Sequence, residues 1–138
     1  MAAQLTSPDS SVLIAGFAPE HPLYEVAVPG LRTVRKGGAL IAHTMAETYS
    51  VLTGKYAQPP ADVLRYLDQF LERPAVGLSA SSYLEVLGKL GEGAILGGAT
   101  YDGLIAATAN QAGLRLLSLD RRATRTYAML DVDYEILI

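Results

Sequence analysis

The chain has 138 residues, a formal net charge of −3 at pH 7 and no cysteine, and half of its residues are hydrophobic. This length and composition predict one compact domain over residues 1–138, and the lack of cysteine excludes disulfide frameworks, thiolate metal sites and cysteine nucleophiles. The acidic balance argues against a sequence-independent nucleic-acid binder. Because the sequence has neither an apolar run of ~20 residues nor a secretion signal, we expect a cytoplasmic protein outside membranes.

In chain order, the first half of the sequence predicts helices separated by short apolar runs. The predicted elements are a strand at Ala3–Ser7, helices at Ser10–Phe17 and Glu20–Lys36, a strand at Ala39–Ala42 and a helix capped by Thr44 that ends near Thr53. We expect Pro29-Gly30 to kink or break the second helix, because proline cannot donate a backbone hydrogen bond. Thr44 and Glu47 have the spacing of a capping box, which predicts where the third helix begins.

The second half of the sequence continues this alternation. The predicted elements are helices at Ala61–Glu72 and Ala80–Leu90 on either side of a strand at Ala75–Leu78, an apolar helix at Tyr101–Ala112, a strand at Leu114–Leu119, a helix at Arg121–Met129 and a strand at Tyr134–Ile138. The apolar runs are short and continuous, as buried parallel strands are. The pattern therefore predicts an α/β fold, with a parallel β-sheet flanked by helices on both faces and strand ends that meet at one edge.

Four acidic residues stand out by their positions in this pattern. Asp9 and Asp120 directly follow predicted strands, whereas Glu47 and Asp102 fall in the predicted first turns of helices. Taken singly, each has a structural explanation, because Asp9 can cap a helix and an acid in a first turn complements the helix dipole. Asp102 fits this explanation least, since its neighbours are apolar and its burial needs a partner.

Together, the four acids indicate a metal site. Carboxylates that converge without matching cations repel one another, and hard divalent cations compensate such a cluster. Oxygen-only ligands suit Mg²⁺ or Mn²⁺, which polarise phosphate and activate water, so no protein nucleophile is needed. Two alternatives stay open. One is an acidic-pocket phosphatase or phosphotransfer domain, which is disfavoured because Ser11 stands where an Asp-x-Asp motif has its second aspartate. The other is a non-enzymatic interaction module whose acids only cap helices.

The segments that contain these acids resemble the PIN-domain family. They are Leu5–Ile14, with its Asp-x-Ser, Ala46–Leu52, with the second acid, Tyr101–Ala109, which is the most specific, and Leu116–Ala123, which resembles the closing Thr-x-Asp segment. They occur in the family's order and cover about residues 5–138. Two departures are Pro8, where the family usually has an ordinary strand residue, and Ser118 in place of the commoner Thr. Neither departure removes a carboxylate.

The resemblance implies a parallel-sheet α/β fold and a divalent-metal-dependent endoribonuclease. Within the family, the short chain is similar to VapC toxins, which implies a homodimer, an RNA substrate and a small VapB-like antitoxin that inhibits it. The resemblance also implies a catalytic-site hydroxyl at Ser118, a hydrogen bond from Ser11 to a ligand carboxylate, and catalytic metal ligands for Mg²⁺ or Mn²⁺ at Asp9, Glu47, Asp102 and Asp120.

Basic and aromatic residues near the acids have more than one interpretation. The candidates for binding RNA phosphates are Arg121, Arg122 and Arg125, although charge runs usually lie on solvated surfaces. We expect His43 to pack or to cap a helix rather than to bind metal, because it lacks partners at ligand spacing. We expect Tyr101 and Tyr127 to pack, with stacking on RNA bases as the alternative.

Overall fold

A computed structural model of the chain describes residues 4–138. The helices in this range are α1 Ser10–Ala15, α2 Tyr24–Gly37, α3 Ala42–Thr53, α4 Pro60–Asp68, α5 Tyr83–Glu92, α6 Ala99–Ala112 and α7 Thr124–Met129. The strands are β1 Thr6–Pro8, β2 Arg115–Ser118 and β3 Tyr134–Ile136, and short 3-10 turns at Ala80–Ser82 and Arg121–Ala123 precede α5 and α7. None of the helices in the described range has both the length and the hydropathy needed to cross a membrane.

The strands form a parallel sheet in the order β1-β2-β3, with β2 in the centre. In the β1-β2 register, Thr6 lies opposite Arg115. Beyond β1 the sheet is extended by isolated parallel bridges, one between Thr6 and Gly38 and another between Ile41 and Val76. Because all of these segments run in the same direction, their carboxyl ends lie along one edge of the sheet.

Helices cover both faces of this sheet, as the sequence predicted. On β2, Leu117 packs into a cluster with residues of α1, α2, α3 and α4. Its neighbour Leu116 packs into a second cluster with residues of α6 and α7. The two leucines point to opposite faces, as successive strand residues do, and both are buried. A third cluster around Leu90 and Leu104 joins α5 to α6. The predicted α/β fold is therefore confirmed.

The second helix differs from its prediction in two ways. It begins at Tyr24 rather than at Glu20, and it runs through Pro29 without a break. Pro29 removes one helical hydrogen bond. The helix persists because Ala27 and Leu31, on either side of the proline, are buried in the core, and packing of an apolar face supplies most of the stability of such helices.

All five predicted strands are shorter in the structure, and two of them are reduced to isolated bridges. The segments 39–42 and 75–78 contribute only the bridges at Ile41 and Val76. They lie at the outer side of the sheet, where a segment has fewer strand partners to extend its pairing. β1 begins at Thr6, and the predicted first residue of that strand, Ala3, lies outside the described residues.

The predicted capping box is wrong. α3 begins at Ala42 with Ile41 as its N-cap and has no side-chain cap. Thr44 therefore lies inside the helix, where its hydroxyl is buried without a hydrogen-bond partner. Glu47 consequently falls in the second turn, so a role at the helix start no longer explains its charge.

The backbone at Gly38 approaches β1 and α2 so closely that a side chain does not fit. A Cβ atom at this position would collide with the carbonyl oxygen of Thr6 and would lie 2.8 Å from the Cα of Val34. Because these are backbone atoms that cannot rotate away, we expect Gly38→Ala to lower the free energy of unfolding by about 2–3 kcal/mol. Urea unfolding followed by circular dichroism measures this loss.

Gly37→Ala is the matched control, one residue earlier. A Cβ atom on Gly37 would have only the side chain of Leu5 near it, at 3.8 Å. Gly37 is the last residue of α2, where alanine favours the helical backbone over glycine. We expect this variant to be as stable as the wild type or slightly more stable. If the two variants lost the same unfolding free energy, the close approach at Gly38 would be contradicted.

Candidate active site

Four acidic residues reach the carboxyl edge of the sheet from four different elements. Asp9 directly follows β1 and continues its pairing, since its backbone N–H donates to the carbonyl of Leu117 at 2.9 Å. Asp120 lies two residues after β2, and Asp102 lies in the first turn of α6. Glu47 comes from α3. These are the four carboxylates that the sequence singled out.

Asp9 is the most deeply buried of these acids, with only 4% of its surface exposed. Its Oδ1 caps α1 by accepting hydrogen bonds from the Ser11 hydroxyl and, at 3.4 Å, from the Val12 backbone N–H. Its Oδ2 accepts a hydrogen bond from the Tyr127 hydroxyl at 2.8 Å. Burial raises the pKa of Asp9, and these hydrogen bonds act in the opposite direction. Asp9 thus caps α1, and the same contacts hold both of its oxygens in place.

Tyr127 packs as expected and also supports Asp9, a role that the sequence did not reveal. Its side chain is fully buried and its ring packs beside that of Tyr134, with 5.8 Å between the centroids. Stacking of Tyr127 on RNA bases is therefore wrong, because no base can reach a buried ring. Burial, with the negative charge of Asp9, raises the pKa of its phenol, so the hydroxyl stays a hydrogen-bond donor to Asp9. The two residues are 118 positions apart, and no local pattern signals their contact.

Glu47 is oriented by Ser10, another contact that the sequence did not reveal. The Ser10 hydroxyl donates to Oε1 of Glu47 across 37 positions of the chain. Ser10 and Ser11 are the first two residues of α1, and each hydroxyl serves a different carboxylate. The serine pair after Asp9 was visible in the sequence, but only the hydrogen bond from Ser11 was expected.

Asp102 has the clearest electrostatic signature among the four acids. Partial burial raises its pKa, and the negative charges of Glu47, Asp9 and Asp120 raise it further, to about 6. An acid whose role is to complement a helix dipole has its charged form stabilised, which lowers the pKa. The raised pKa of Asp102 therefore argues against the dipole explanation, and the charges of the other three carboxylates contribute to it.

Ser118 and Ser11 shape the turn that carries Asp120. The Ser118 hydroxyl accepts a hydrogen bond from the Asp120 backbone N–H at 3.0 Å. Ser11 accepts one from the backbone N–H of Leu119 at 2.9 Å while it donates to Asp9. The hydrogen bond from Ser11 to a site carboxylate is the one that the resemblance implied. Both serines thus connect the end of β2 to the acidic edge, by which we mean the carboxyl edge of the sheet with Asp9, Glu47, Asp102 and Asp120.

The charge and chemistry of this edge fit a hard divalent cation. Within residues 4–138, the ion pairs of the structure leave Asp9, Glu47 and Asp102 without a basic partner. All of the side-chain atoms available to bind a metal at this edge are carboxylate or hydroxyl oxygens, which Mg²⁺ and Mn²⁺ prefer as ligands. In the same described range, no three acidic or histidine side chains are already positioned to hold one ion together. The acids are therefore coupled electrostatically but do not form a closed set of ligands.

The three arginines that follow the acidic edge have different surroundings. Arg121 donates to the backbone oxygen of Ile138 at 2.7 Å, and Arg125 donates to the carbonyl of Gly93 at 3.0 Å. The side chain of Arg122 is 96% exposed, and its Nε lies 3.7 Å from Asp120. Of the three, Arg122 is therefore the cation most available beside the acids.

His43 and Tyr101 form a stacked pair at the starts of α3 and α6. Their rings are nearly parallel, with an angle of 9° between the planes and 5.3 Å between the centroids. His43 is partly buried, whereas Tyr101 is 50% exposed. The expected packing role of His43 is confirmed.

Comparisons with known proteins agree with this architecture. The PIN domain family model matches residues 7–129. Ribonuclease VapC40 of Mycobacterium tuberculosis (strain CDC 1551 / Oshkosh) is 42% identical over 136 residues, which cover 96% of this chain and 99% of that protein. Ribonuclease VapC27 of M. tuberculosis (strain ATCC 25618 / H37Rv) is 32% identical over 127 residues, or 90% of each chain. The crystal structure of FitAcB from Neisseria gonorrhoeae has a similar fold, with a TM-score of 0.69, 23% identity and coverage of 96% of this chain and 98% of that one.

Proposed function

The chain belongs to the PIN-domain family, among its VapC-type ribonucleases, and we propose that it hydrolyses RNA with divalent ions held by Asp9, Glu47, Asp102 and Asp120. The observation that carries this proposal is the convergence of these acids at the carboxyl edge of the sheet, where the adjacent Ser10 and Ser11 of α1 hydrogen-bond Glu47 and Asp9. In agreement with this arrangement, burial and the negative charges of Glu47, Asp9 and Asp120 raise the pKa of Asp102. Four carboxylates that are distant in sequence share one poorly compensated region, and a hard cation is the simplest partner for it.

The residues around the acids have the role of orienting them. Ser11 and Tyr127 direct the two oxygens of Asp9, and Ser10 directs Glu47. The chemistry that bound Mg²⁺ or Mn²⁺ supplies at such a site is polarisation of the scissile phosphate and activation of a water molecule. Ser118, the further catalytic candidate, acts by holding the backbone of Asp120.

Arg122 is the residue that we propose for binding RNA phosphate next to the acids. Its exposed guanidinium lies beside Asp120, where an RNA strand entering the acidic edge would need a positive charge. Arg121 and Arg125 have less freedom for this role, because each already donates to a backbone oxygen.

The proposal includes the biological setting of a toxin. We propose a single domain that acts in the cytoplasm as a homodimer and is inhibited by a VapB-like antitoxin. The similarity to relatives named ribonuclease VapC supports this setting. It also favours RNA hydrolysis over a phosphotransfer reaction or a non-enzymatic interaction module, the two alternatives left open by the sequence.

Binding of Mn²⁺ is expected to stabilise the folded protein. An ion that binds only the folded state adds about 2–3 kcal/mol of unfolding free energy at a concentration ~100 times its dissociation constant. Differential scanning fluorimetry with increasing MnCl₂ measures the rise in melting temperature, and NaCl at the same ionic strength is the control. Cleavage of total RNA by the same protein should stop when EDTA is added. A melting temperature that does not respond to millimolar Mn²⁺ would favour the alternative of an interaction module whose acids only cap helices.

A further inference from the structure

We propose that Tyr101, supported by His43, is a platform on which a base of the RNA substrate stacks beside the scissile phosphate. The inference deepens the proposed ribonuclease function and rests on it. It assigns a substrate-binding role to an aromatic side chain that the acidic site itself does not use.

The position of the pair places it at the border of the acidic site. Tyr101 immediately precedes Asp102 in the first turn of α6. His43 precedes Glu47 by four residues on α3, which is about one helical turn. Because residues four apart lie on the same face of a helix, and because His43 stacks on Tyr101 beside Asp102, the ring pair lies next to two of the four carboxylates. A nucleotide whose phosphate is at the acids has its base within a few ångströms of the phosphate, so it can reach this border.

The state of the Tyr101 ring suits a stacking role. At 50% exposure it is the most exposed aromatic side chain among residues 4–138, although an aromatic ring usually gains stability from burial. His43 lies parallel to it and covers one side, which holds the ring in one orientation before RNA arrives. A preoriented ring loses less entropy when a base stacks on it. The other exposed tyrosines, such as Tyr49 and Tyr83, have no parallel ring partner in the described residues.

The test compares RNA that has bases with RNA that lacks them. Asp9→Asn protein, expected not to cleave, is titrated into a fluorescein-labelled 12-nucleotide oligoadenylate and into an abasic ribose-phosphate oligomer of the same length. Fluorescence anisotropy gives the two dissociation constants. Adding Tyr101→Ala should weaken binding of the oligoadenylate about tenfold, since stacking of one base on an aromatic ring has that size. Binding of the abasic oligomer should not change.

Two further variants separate stacking from a structural role. Tyr101→Phe keeps the ring and should bind both oligomers as the Asp9→Asn parent does. Tyr49→Ala removes a 37% exposed tyrosine from a later turn of α3 and should also leave both affinities unchanged. If Tyr101→Ala weakened both oligomers equally, or neither, the platform would be wrong. A melting temperature measured for each variant identifies any general loss of folding.

A spectroscopic measurement covers the case in which Tyr101→Ala is unstable. An abasic ribose-phosphate oligomer that carries a single 2-aminopurine, which has no neighbouring base to stack on, should lose fluorescence on binding to the folded Tyr101→Phe protein, because stacking on a ring quenches the probe. Tyr101→Leu, which keeps apolar bulk without a ring, should not quench it. Quenching by the leucine variant would overturn the platform. If instead wild-type protein cleaved no RNA while the ring dependence held, the ribonuclease function would fail and the base platform would stand.

Discussion

Asp9→Asn is expected to reduce RNA cleavage at least about a hundredfold, because it removes one carboxylate from the proposed metal site. Asp9 is the best oriented of the four acids, with hydrogen bonds from Ser11, Val12 and Tyr127. Asparagine has nearly the same shape but no negative charge, so its affinity for a divalent cation is much lower. The measurement is the initial rate of cleavage of total RNA at saturating Mn²⁺.

The same substitution should preserve the fold. The asparagine oxygen can still accept from Ser11 and Val12, and its amide can donate to the oxygen of Tyr127. The neutral side chain also removes the burial cost that raises the pKa of Asp9. Asp68→Asn, at the exposed end of α4, is the matched control and should cleave at the wild-type rate. Full activity in the Asp9→Asn variant would contradict the assignment of Asp9 as a metal ligand.

The sequence predicted the acidic edge because its signal is local. Asp9 and Asp120 each stand at the end of a predicted strand, and parallel strands place such residues at one edge. The apolar character of residues 103–109 similarly marked α6 as central and Asp102 as unusual. These inferences need only the order of residues along the chain and the geometry of a parallel sheet.

The contacts that orient the acids could not be predicted in this way. Ser10 and Glu47 are 37 positions apart, and Tyr127 and Asp9 are 118 apart. Their partnership depends on how α1, α3 and α7 pack, which the hydrophobic period of each helix does not specify. A buried Tyr127 therefore looked like an ordinary packing residue or a surface aromatic ring.

Local signals also misled where tertiary packing overrides them. Thr44 and Glu47 have the spacing of a capping box, but α3 begins two residues before Thr44. Ile41 and Val76 pair as a bridge just before α3, so the sheet determines where this helix begins. Pro29 is tolerated inside α2 for a similar reason, since residues on both sides of it are buried. In each case long-range burial decided the structure.

Asp102→Asn is expected to abolish cleavage and, in the absence of metal, to make the protein more stable. The pKa of Asp102 is raised to about 6 by burial and by Glu47, Asp9 and Asp120, so its negative charge is unfavourable in the folded state. Removing that charge relieves the repulsion. Because the side chain is partly open to solvent, which screens part of the repulsion, we expect a gain of about 1 kcal/mol in unfolding free energy. Thermal unfolding in EDTA at pH 7.5 measures it.

The gain from Asp102→Asn should depend on pH in a defined direction. The folded-state pKa of Asp102 lies above its ordinary value of 3.8, so the folded protein binds a proton more tightly than the unfolded chain. The part of the wild-type unfolding free energy that depends on protonated Asp102 is therefore lost as the pH rises from about 4 to about 6. The variant lacks this titration, so its advantage over the wild type should be small below pH 4 and should reach a plateau above pH 6.

Metal should reverse the order of stability of the wild type and the Asp102→Asn variant. Mn²⁺ is expected to stabilise the wild type by binding to the four proposed carboxylate ligands, whereas Asp102→Asn retains only three of them and should respond much less. The variant is thus expected to melt above the wild type in EDTA and below it in saturating Mn²⁺. Asp68→Asn should follow the wild type under both conditions.

Two outcomes would contradict a site in which a bound cation compensates the carboxylate repulsion. One is an Asp102→Asn protein that is less stable than the wild type in EDTA, and the other is a variant that gains as much stability from Mn²⁺ as the wild type does. A reversed order of the two melting temperatures between EDTA and Mn²⁺ distinguishes this site from a helix cap, since losing a cap destabilises the protein whether or not metal is present.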